Sequence, residues 1–220
     1  MTEKISKIKI HKFNPSVLQT GPHHILIVGK RGTGKSTLVK DLMSHMSTNI
    51  QWICMHGAED GSGFYRDLID PCNNHSDYRP DVVRDLIHKQ RINLRNLTLK
   101  PVGLVLDDCG YDKKITTQLE MRHLFVNGHD WNVNLVITQD YLFGMQTELR
   151  TTLDYIFFFR EAIVANQKRA WDCFFRGFPK FAWFQEVFLE CTEDFNCLVI
   201  QTKSPVTIED SVFYYKASSV

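Results

Sequence analysis

The sequence predicts an α/β fold whose central sheet is mostly parallel and is covered by helices on both faces. Short apolar runs alternate along the chain with segments in which apolar residues recur at helical spacing. This alternation is typical of parallel strands joined by crossover helices, because such strands are buried on both sides. Three of the runs end in glycine or polar residues, and parallel sheets bind ligands beyond the carboxyl ends of their strands. We therefore expect the functional site at that edge of the sheet.

Seven apolar runs are predicted to form strands, and they lie at residues 25–28, 51–55, 102–106, 133–137, 153–159, 197–200 and 212–215. An alternating stretch at residues 5–10 predicts a further lead-in strand. Helices are predicted at residues 37–42, 82–87, 115–126, 166–175 and 181–189. Asp81 is the predicted N-cap of the second helix. Residues 57–80 contain several glycines, prolines and asparagines, so we expect an irregular loop there.

The length and composition indicate a single domain over residues 1–220. With 43% hydrophobic and 23% charged residues, the chain can bury one good core. The formal net charge of +1 gives no bulk electrostatic sign of a nucleic-acid partner, which would need a local basic patch. The six cysteines lack metal-site spacing, and this favours free thiols in a reducing compartment. No apolar run is long enough to cross a bilayer.

Residues 29–36, with the letters G-K-R-G-T-G-K-S, fill every fixed position of the phosphate-loop pattern between a strand and a helix. Its glycines let successive N–H groups face the phosphate oxygens, and the helix start adds partial positive charge. Lys35 is predicted to reach the β- and γ-phosphates, and the Ser36 hydroxyl to bind Mg²⁺. The predicted nucleotide-binding residues are Gly29, Lys30, Arg31, Gly32, Thr33, Gly34, Lys35, Ser36 and Thr37. The complete pattern disfavours the alternative of a glycine-rich turn without a ligand.

Acidic and amide residues end the next two strands of the predicted core. The run that ends in Asp107 and Asp108 matches a Walker B element, in which Asp107 would hold Mg²⁺ and Asp108 would orient or deprotonate the attacking water. A helix cap or a solvated loop is the alternative for such a pair. Gln139 could hydrogen-bond the γ-phosphate or the water, with Thr138 as a second candidate. Alternatively, Gln139 is a polar residue that merely ends a strand.

Together these elements resemble the FtsK/HerA branch of the additional-strand (RecA-like) P-loop ATPases, and within it the genome-packaging ATPases of poxviruses and related large double-stranded DNA viruses and virophages. The resemblance covers about residues 22–160, which would form the ATPase core. The C-terminal helices and strands, in residues 161–220, follow this core. Its local supports are residues 29–36, Asp107-Asp108, residues 124–128, Thr138-Gln139, Leu149-Arg150 and residues 154–157. Two features depart from it. His129-Asp130 stands where many relatives have Arg-His, and Asp108 where many members of the branch have Glu.

The resemblance implies an ATPase with ATP and Mg²⁺ as cofactors that works in the host cytoplasm, at the viral assembly site. Its partners would be double-stranded DNA, further copies of the chain in a homo-oligomeric ring, and a capsid or portal-site protein. Such rings usually take an arginine from the neighbouring subunit to neutralise transition-state charge. Arg150 is the first candidate because the resemblance places an arginine before the fifth strand, and Arg160 and Arg122 follow. A solvated or salt-bridged arginine is the alternative for each.

Three other features have a structural and a functional interpretation. The densest basic stretch, formed by Arg84, His88, Lys89, Arg91, Arg95 and Lys100, is either a solvated helix face or a DNA-backbone contact. The phenylalanine- and tryptophan-rich residues 174–188 are expected to pack in the core, with a subunit interface as the alternative. His23-His24 is expected on the surface rather than in a metal site.

Two rival functions remain at this stage. A P-loop kinase for a small molecule would keep Lys35 and Ser36 but would not need Gln139 or an arginine from another subunit. A nucleotide switch that binds a capsid protein would not need catalysis by Asp108.

Overall fold

A computed structural model of the protein describes residues 8–57, 63–109, 115–142, 147–203 and 207–218. The described strands are β1 (His11–Lys12), β2 (His24–Val28), β3 (Gln51–His56), β4 (Asn74–His75), β5 (Val102–Asp107), β6 (Val133–Gln139), β7 (Tyr155–Phe159), β8 (Asn196–Gln201) and β9 (Val212–Lys216). The described α-helices are α1 (Lys35–His45), α2 (Pro80–Arg95), α3 (Leu119–Asn127), α4 (Thr147–Arg150), α5 (Val164–Phe174), α6 (Phe181–Cys191) and α7 (Ile208–Ser211).

The strands form one sheet in the order β1-β9-β8-β7-β2-β6-β5-β3-β4. All neighbours pair in parallel except β8, which is antiparallel to both β7 and β9. Strand β6 is inserted between β2 and β5, so the strand before the phosphate loop and the strand before the acid pair are separated by one additional strand. The order and the direction of the strands confirm the predicted fold class.

Both faces of the sheet are covered, which is why its central strands are apolar at nearly every position. Ile25 and Ile27 of β2 point to one face and pack with Leu38 and Leu42 of α1. The alternate residues of β2 point to the other face, where helices α2, α3, α5 and α6 supply the packing. A pleated strand with α-helices on both sides has no solvent-exposed face, so the two clusters form one core on each side of the sheet.

The aromatic stretch packs in the core, as expected. Phe175, Phe178, Phe184 and Phe188 are almost fully buried. The ring centroids of Phe175 and Phe184 lie 4.9 Å apart, and Phe158 of β7 lies 5.3 Å from Phe175. Helices α5 and α6 are therefore fixed to the sheet through stacked and tilted rings.

Several local expectations need correction. Helix α2 begins at Pro80 with Arg79 as its N-cap, because proline is preorganised for the first helical position, and Asp81 instead pairs with Arg79 at 2.6 Å. Residues 115–126 do not form one helix, since Ile115–Thr117 is a 3₁₀ turn that precedes α3. The lead-in strand expected at residues 5–10 lies partly outside the described residues, and β1 lies at His11–Lys12.

The expectation that His23-His24 lies on the surface is also wrong. His24 is fully buried, and its ring lies 3.9 Å from the ring of His129. The backbone N–H of His24 donates to Asp154 Oδ2 at 2.7 Å. Burial, together with the neighbouring His129, lowers the pKa of His24 to about 3. This side chain is therefore a neutral part of the core where β2 begins.

All six cysteines are free thiols, with Cys54, Cys109 and Cys197 buried. Among the described helices, none combines the length and apolar character needed to span a membrane.

Gly103 provides a test of the sheet register. It pairs with Trp52 across β5 and β3, and a Cβ at this position would lie 2.1 Å from Cε3 of the buried Trp52 ring. We expect Gly103→Ala to lower the free energy of unfolding by about 1–3 kcal/mol, because the ring must shift within a packed core. Urea denaturation measures the change. Gly63→Ala is the control, since nothing lies within 4 Å of that Cβ, and equal effects of the two substitutions would contradict this packing.

Candidate functional site

The phosphate loop lies at the carboxyl end of β2 and leads into α1. Gly32 and Gly34 have φ angles of +81° and +99°, a backbone conformation that glycine adopts without steric cost. A Cβ at Gly29 would lie 2.6 Å from Thr33 Oγ1, so this position also excludes a side chain. The loop is closed by the Thr33 hydroxyl, which donates to Lys30 O at 2.7 Å. Its shape is therefore built into the chain itself.

Lys35 lies at the first position of α1 with its side chain turned back over the loop. Its Nζ donates to Gly29 O at 2.8 Å and to Asp140 Oδ1 at 2.6 Å, and the residue is buried. The sequence did not single out Asp140, whose only signal was its place directly after a strand end. The ammonium group is thus held next to the loop by a carboxylate on a neighbouring strand end.

Asp107 is a buried carboxylate at the end of β5 that accepts two hydroxyl hydrogen bonds. Thr138 Oγ1 donates to Oδ1 and Tyr65 OH donates to Oδ2, each at 2.7 Å. The Ser36 side chain also lies near the Tyr65 hydroxyl and acts to lower its pKa. Burial and the Asp107 carboxylate raise the pKa of Tyr65, so its hydroxyl stays protonated and acts as a donor. Tyr65 therefore connects the phosphate loop to the acid pair.

Asp108 follows β5 in a left-handed backbone conformation with φ of +56°. Its backbone N–H donates to Thr138 Oγ1 at 2.8 Å. Burial and the nearby Asp140 carboxylate raise the pKa of Asp108, whereas Lys35 opposes this shift. A carboxylate with a raised pKa is a stronger base, which is the property that water activation needs.

The residues that end β6 contribute in different ways. Thr138 is hydrogen-bonded to both acidic residues. Neither Thr138 nor Gln139 is among the described residues that line the cavity formed by the phosphate loop and the acid pair. The Gln139 carbonyl accepts from the Gly29 N–H at 3.0 Å, and its side-chain Oε1 is buried with no hydrogen-bond partner among the described residues. The structure thus brings Thr138 to the acid pair and gives Gln139 a backbone contact with the phosphate loop.

The three candidate arginines lie in different places. Arg150 in α4 lies on the amino side of β7, where Nη1 donates to Cys173 Sγ at 2.7 Å and Nη2 to Thr147 Oγ1 at 2.8 Å. Arg160 follows β7 at the same sheet edge as the phosphate loop and donates to Leu189 O at 2.9 Å. Arg122 is exposed on α3. None of them lines the cavity beside the phosphate loop.

The phosphate loop and the acid pair line one cavity of about 630 Å³, a volume within the range of small-molecule sites. Its described lining residues are Arg31, Gly32, Gly34, Lys35, Ser36, Thr37, His56, Phe64, Tyr65, Asp107, Asp108, Phe159, Phe195, Lys216, Ala217 and Ser218. The Ser36 hydroxyl and the Asp107 carboxylate are hard oxygen donors in this cavity, and such donors suit Mg²⁺. The geometry thus combines a glycine-rich loop, a cation, hard oxygen donors and a candidate base.

The sequence relatives of this chain include proteins of large DNA viruses. The chain is 30% identical to protein 088R of Invertebrate iridescent virus 3 over 98% of this chain and 85% of the relative. It is 30% identical to protein 075L of Invertebrate iridescent virus 6 over 89% and 78% of the two chains. Both relatives are described as uncharacterized. No family model matches the sequence.

Two solved structures share the fold. One is the genome-packaging NTPase B204 from Sulfolobus turreted icosahedral virus 2 in complex with AMPPCP, with a TM-score of 0.63 and 14% identity over 94% of this chain and all of that one. The other is the cytoplasmic domain of the type VII secretion ATPase EccC from Thermomonospora curvata, with a TM-score of 0.59 and 15% identity over 91% of this chain and 26% of that one. The chain belongs to the family of large-DNA-virus proteins that includes 088R and 075L, and its fold is the P-loop NTPase fold of these ATPases.

Proposed function

We propose that the protein is an ATPase that translocates double-stranded DNA and packages a viral genome into a capsid. One observation carries the ATPase part of this proposal: Lys35 of a complete phosphate loop and the Asp107-Asp108 pair line the same cavity. The likeness to a viral genome-packaging NTPase supports the packaging part.

Lys35 and the phosphate loop would bind the triphosphate. In the structure Asp140 neutralises the Lys35 ammonium at 2.6 Å. This pair holds the ammonium beside the loop before a nucleotide binds. A bound γ-phosphate would then compete with the Asp140 carboxylate for the ammonium. Preorganisation of this kind spares the cost of arranging the cation during catalysis.

Ser36 and Asp107 would hold Mg²⁺, which neutralises phosphate charge when it is bound. Tyr65 and Thr138 fix the two oxygens of Asp107, and Tyr65 also lies near Ser36. Both proposed metal-binding side chains thus lie beside the same hydroxyl. Asp108 would act as the base or orienting group for the attacking water, and Gln139 remains a candidate for contact with the γ-phosphate.

The proposed partners are DNA, further copies of the chain and a capsid or portal-site protein, and the proposed place of action is the host cytoplasm. Arg84, His88, Lys89, Arg91 and Arg95 are exposed on α2, where a basic face could contact a DNA backbone. A small-molecule kinase and a nucleotide switch remain the rival functions. They differ from the motor in what stimulates ATP turnover. The decisive measurement is therefore the rate of ATP hydrolysis with and without double-stranded DNA.

Stimulation by DNA is the first test of the function. We expect the protein to hydrolyse ATP faster when double-stranded DNA is added, because a translocase couples the two. Lys35→Ala should lose nearly all hydrolysis at unchanged circular dichroism, since the phosphate cation is gone but the loop remains. Lys168→Ala, at an exposed lysine of α5, is the matched control. Turnover that needs a small acceptor would favour the kinase, and very slow turnover that DNA leaves unchanged would favour the switch.

The two acids should separate metal binding from water activation. Asp108→Asn preserves shape, and asparagine tolerates the left-handed backbone at this position. We expect this variant to bind Mg·ATP nearly normally but to hydrolyse it at least about a hundredfold more slowly. Asp107→Asn should instead weaken Mg²⁺ binding. The metal concentration needed for half-maximal rate should therefore rise. Identical nucleotide affinities and residual rates for the two variants would refute this division of roles.

An arginine from a neighbouring subunit can be tested by mixing two inactive variants. Arg150 lies apart from the cavity of its own subunit, so any catalytic role must be in a neighbouring one. We expect Arg150→Ala to bind ATP without hydrolysing it, and a mixture with Lys35→Ala to recover some activity, because one mixed interface pairs an intact loop with an intact arginine. Arg176→Ala, which removes an exposed arginine of an Asp172 ion pair, should leave hydrolysis unchanged.

The mixing test also ranks the remaining arginines. If co-assembled mixtures recover no activity, Arg150 is not the donor, and the same experiment with Arg160→Ala and Arg122→Ala decides between those two. A protein that stays monomeric at all concentrations with DNA and ATP present would count against a ring motor.

A further inference from the structure

The cavity at the phosphate loop extends past the site of the phosphates toward the C-terminal strand. Its wall on that side consists of Phe159, Phe195 and residues 216–218, none of which has a part in the chemistry described above. This part of the cavity begins beside the first turn of α1, where Thr37 lies. A nucleotide whose phosphates occupy the loop must place its sugar and base in some such space.

Phe195 is held in a strained turn at the start of β8. It is 68% exposed and has a φ of +62°, and the preceding Asp194 has a φ of +49°. This conformation costs free energy for a bulky residue and persists only where the surrounding structure imposes it. Here Asn196 imposes it, because both its backbone N–H and its Nδ2 donate to Glu193 O, at 2.8 and 2.6 Å. Core packing does not account for a large apolar ring that is held in this way and exposed to solvent.

The Phe195 ring lies against the phosphate loop. A Cβ placed on Gly34 would lie 3.8 Å from Phe195 Cδ1 and 3.7 Å from Phe159 Cε1. A side chain at Gly34 would therefore be in van der Waals contact with the Phe195 ring, which lines the cavity next to the loop. Among the described residues, no cation or second aromatic ring is stacked on Phe195, so a ring face is available to a ligand.

Phe64 is the competing aromatic side chain, since it also lines the cavity and is 40% exposed. Its ring already lies under the Lys40 ammonium, 4.3 Å from the centroid. It also lies next to Tyr65, on the side of the cavity where the acids and the metal-binding oxygens gather. No acid and no proposed metal-binding group among the described lining residues lies on the Phe195 side, which therefore suits an uncharged flat ring better.

Residues 216–218 continue from β9, which pairs with β8 beside Phe195, and they are anchored to the helix that begins at the phosphate loop. The Tyr215 hydroxyl donates to Asp41 Oδ2 at 2.5 Å, and the Ser218 N–H donates to Asp41 Oδ1 at 3.1 Å. Asp41 is buried in α1. The spacing between the loop and residues 216–218 is thus set by one helix and does not depend on a mobile loop.

We infer that Phe195 is the platform on which the base of the nucleotide stacks, with residues 216–218 as the adjoining wall of the base pocket. This inference rests on the proposed function for the presence of a nucleotide. A phenylalanine face stacks on any base, so the platform supplies affinity with little discrimination, and the larger purine ring gains more contact area.

Binding of ATP and of inorganic tripolyphosphate, which has neither sugar nor base, tests the inference in isothermal titration. Phe195→Ala and Phe195→Asn should each weaken ATP by about tenfold and leave tripolyphosphate unchanged. Asparagine tolerates the left-handed backbone, so this second variant removes the ring without added strain. Phe195→Trp should retain ATP affinity. Leu97→Asn is the matched control, because Leu97 is an exposed apolar residue with a φ of +57° outside the cavity.

The outcomes separate this inference from the proposed function. If the wild-type protein binds ATP and both Phe195 variants bind it equally well, the platform is refuted and the ATPase proposal stands. Loss of ATP affinity in Phe64→Ala instead of the Phe195 variants would place the base on the opposite side. Equal weakening of ATP and tripolyphosphate would also refute the inference, because it would mean that the substitution disturbs the phosphate loop. A wild-type protein that binds neither ligand would refute both proposals.

Discussion

The buried carboxylate of Asp107 is the group on which the rest of the site depends. A buried charge is costly unless hydrogen bonds or an opposite charge compensate it. Among the described residues, its hydrogen bonds come from two neutral hydroxyls, those of Tyr65 and Thr138, whereas the ammonium of Lys35 is paired with Asp140. The negative charge is therefore solvated by dipoles but not cancelled. A divalent cation would complete this arrangement, for which the two hydroxyls hold the carboxylate in place.

The order of the strands explains how distant segments meet at this carboxylate. Because β6 is inserted between β2 and β5, its carboxyl end lies between the phosphate loop and the acid pair. Each of three consecutive residues at that end makes a different contact. Thr138 holds both acids, the Gln139 carbonyl holds Gly29, and Asp140 holds Lys35. An additional strand therefore acts as a rigid spacer that connects the two halves of the site through hydrogen bonds.

What the sequence could predict was local. The phosphate loop is one contiguous pattern, and the acid pair follows one apolar run, so both could be recognised without knowledge of the fold. Tyr65 could not, because it lies in a segment without periodicity and its partner is 42 residues away. Asp140 had no distinguishing signal beyond a strand end. His24 was expected on the surface because two histidines before a strand look polar, but His129 and Asp154 bury it through contacts that only the sheet order creates.

Helix α1 links the two parts of the cavity mechanically. Its first turn carries Lys35 and Ser36, and Asp41 in its second turn holds Tyr215 and Ser218 of the C-terminal segment. Burial and the Asp41 carboxylate raise the pKa of Tyr215, so this hydroxyl remains a donor across the physiological range. A displacement of the phosphate loop along the helix axis must therefore move the wall at residues 216–218 as well. Since β9 pairs with β8, whose first residue follows Phe195 directly, the same displacement reaches the strands at this edge of the sheet. Residues 216–218 and the phosphate loop are thus joined through one helix, and this helix gives the loop a direct structural connection to the edge of the sheet.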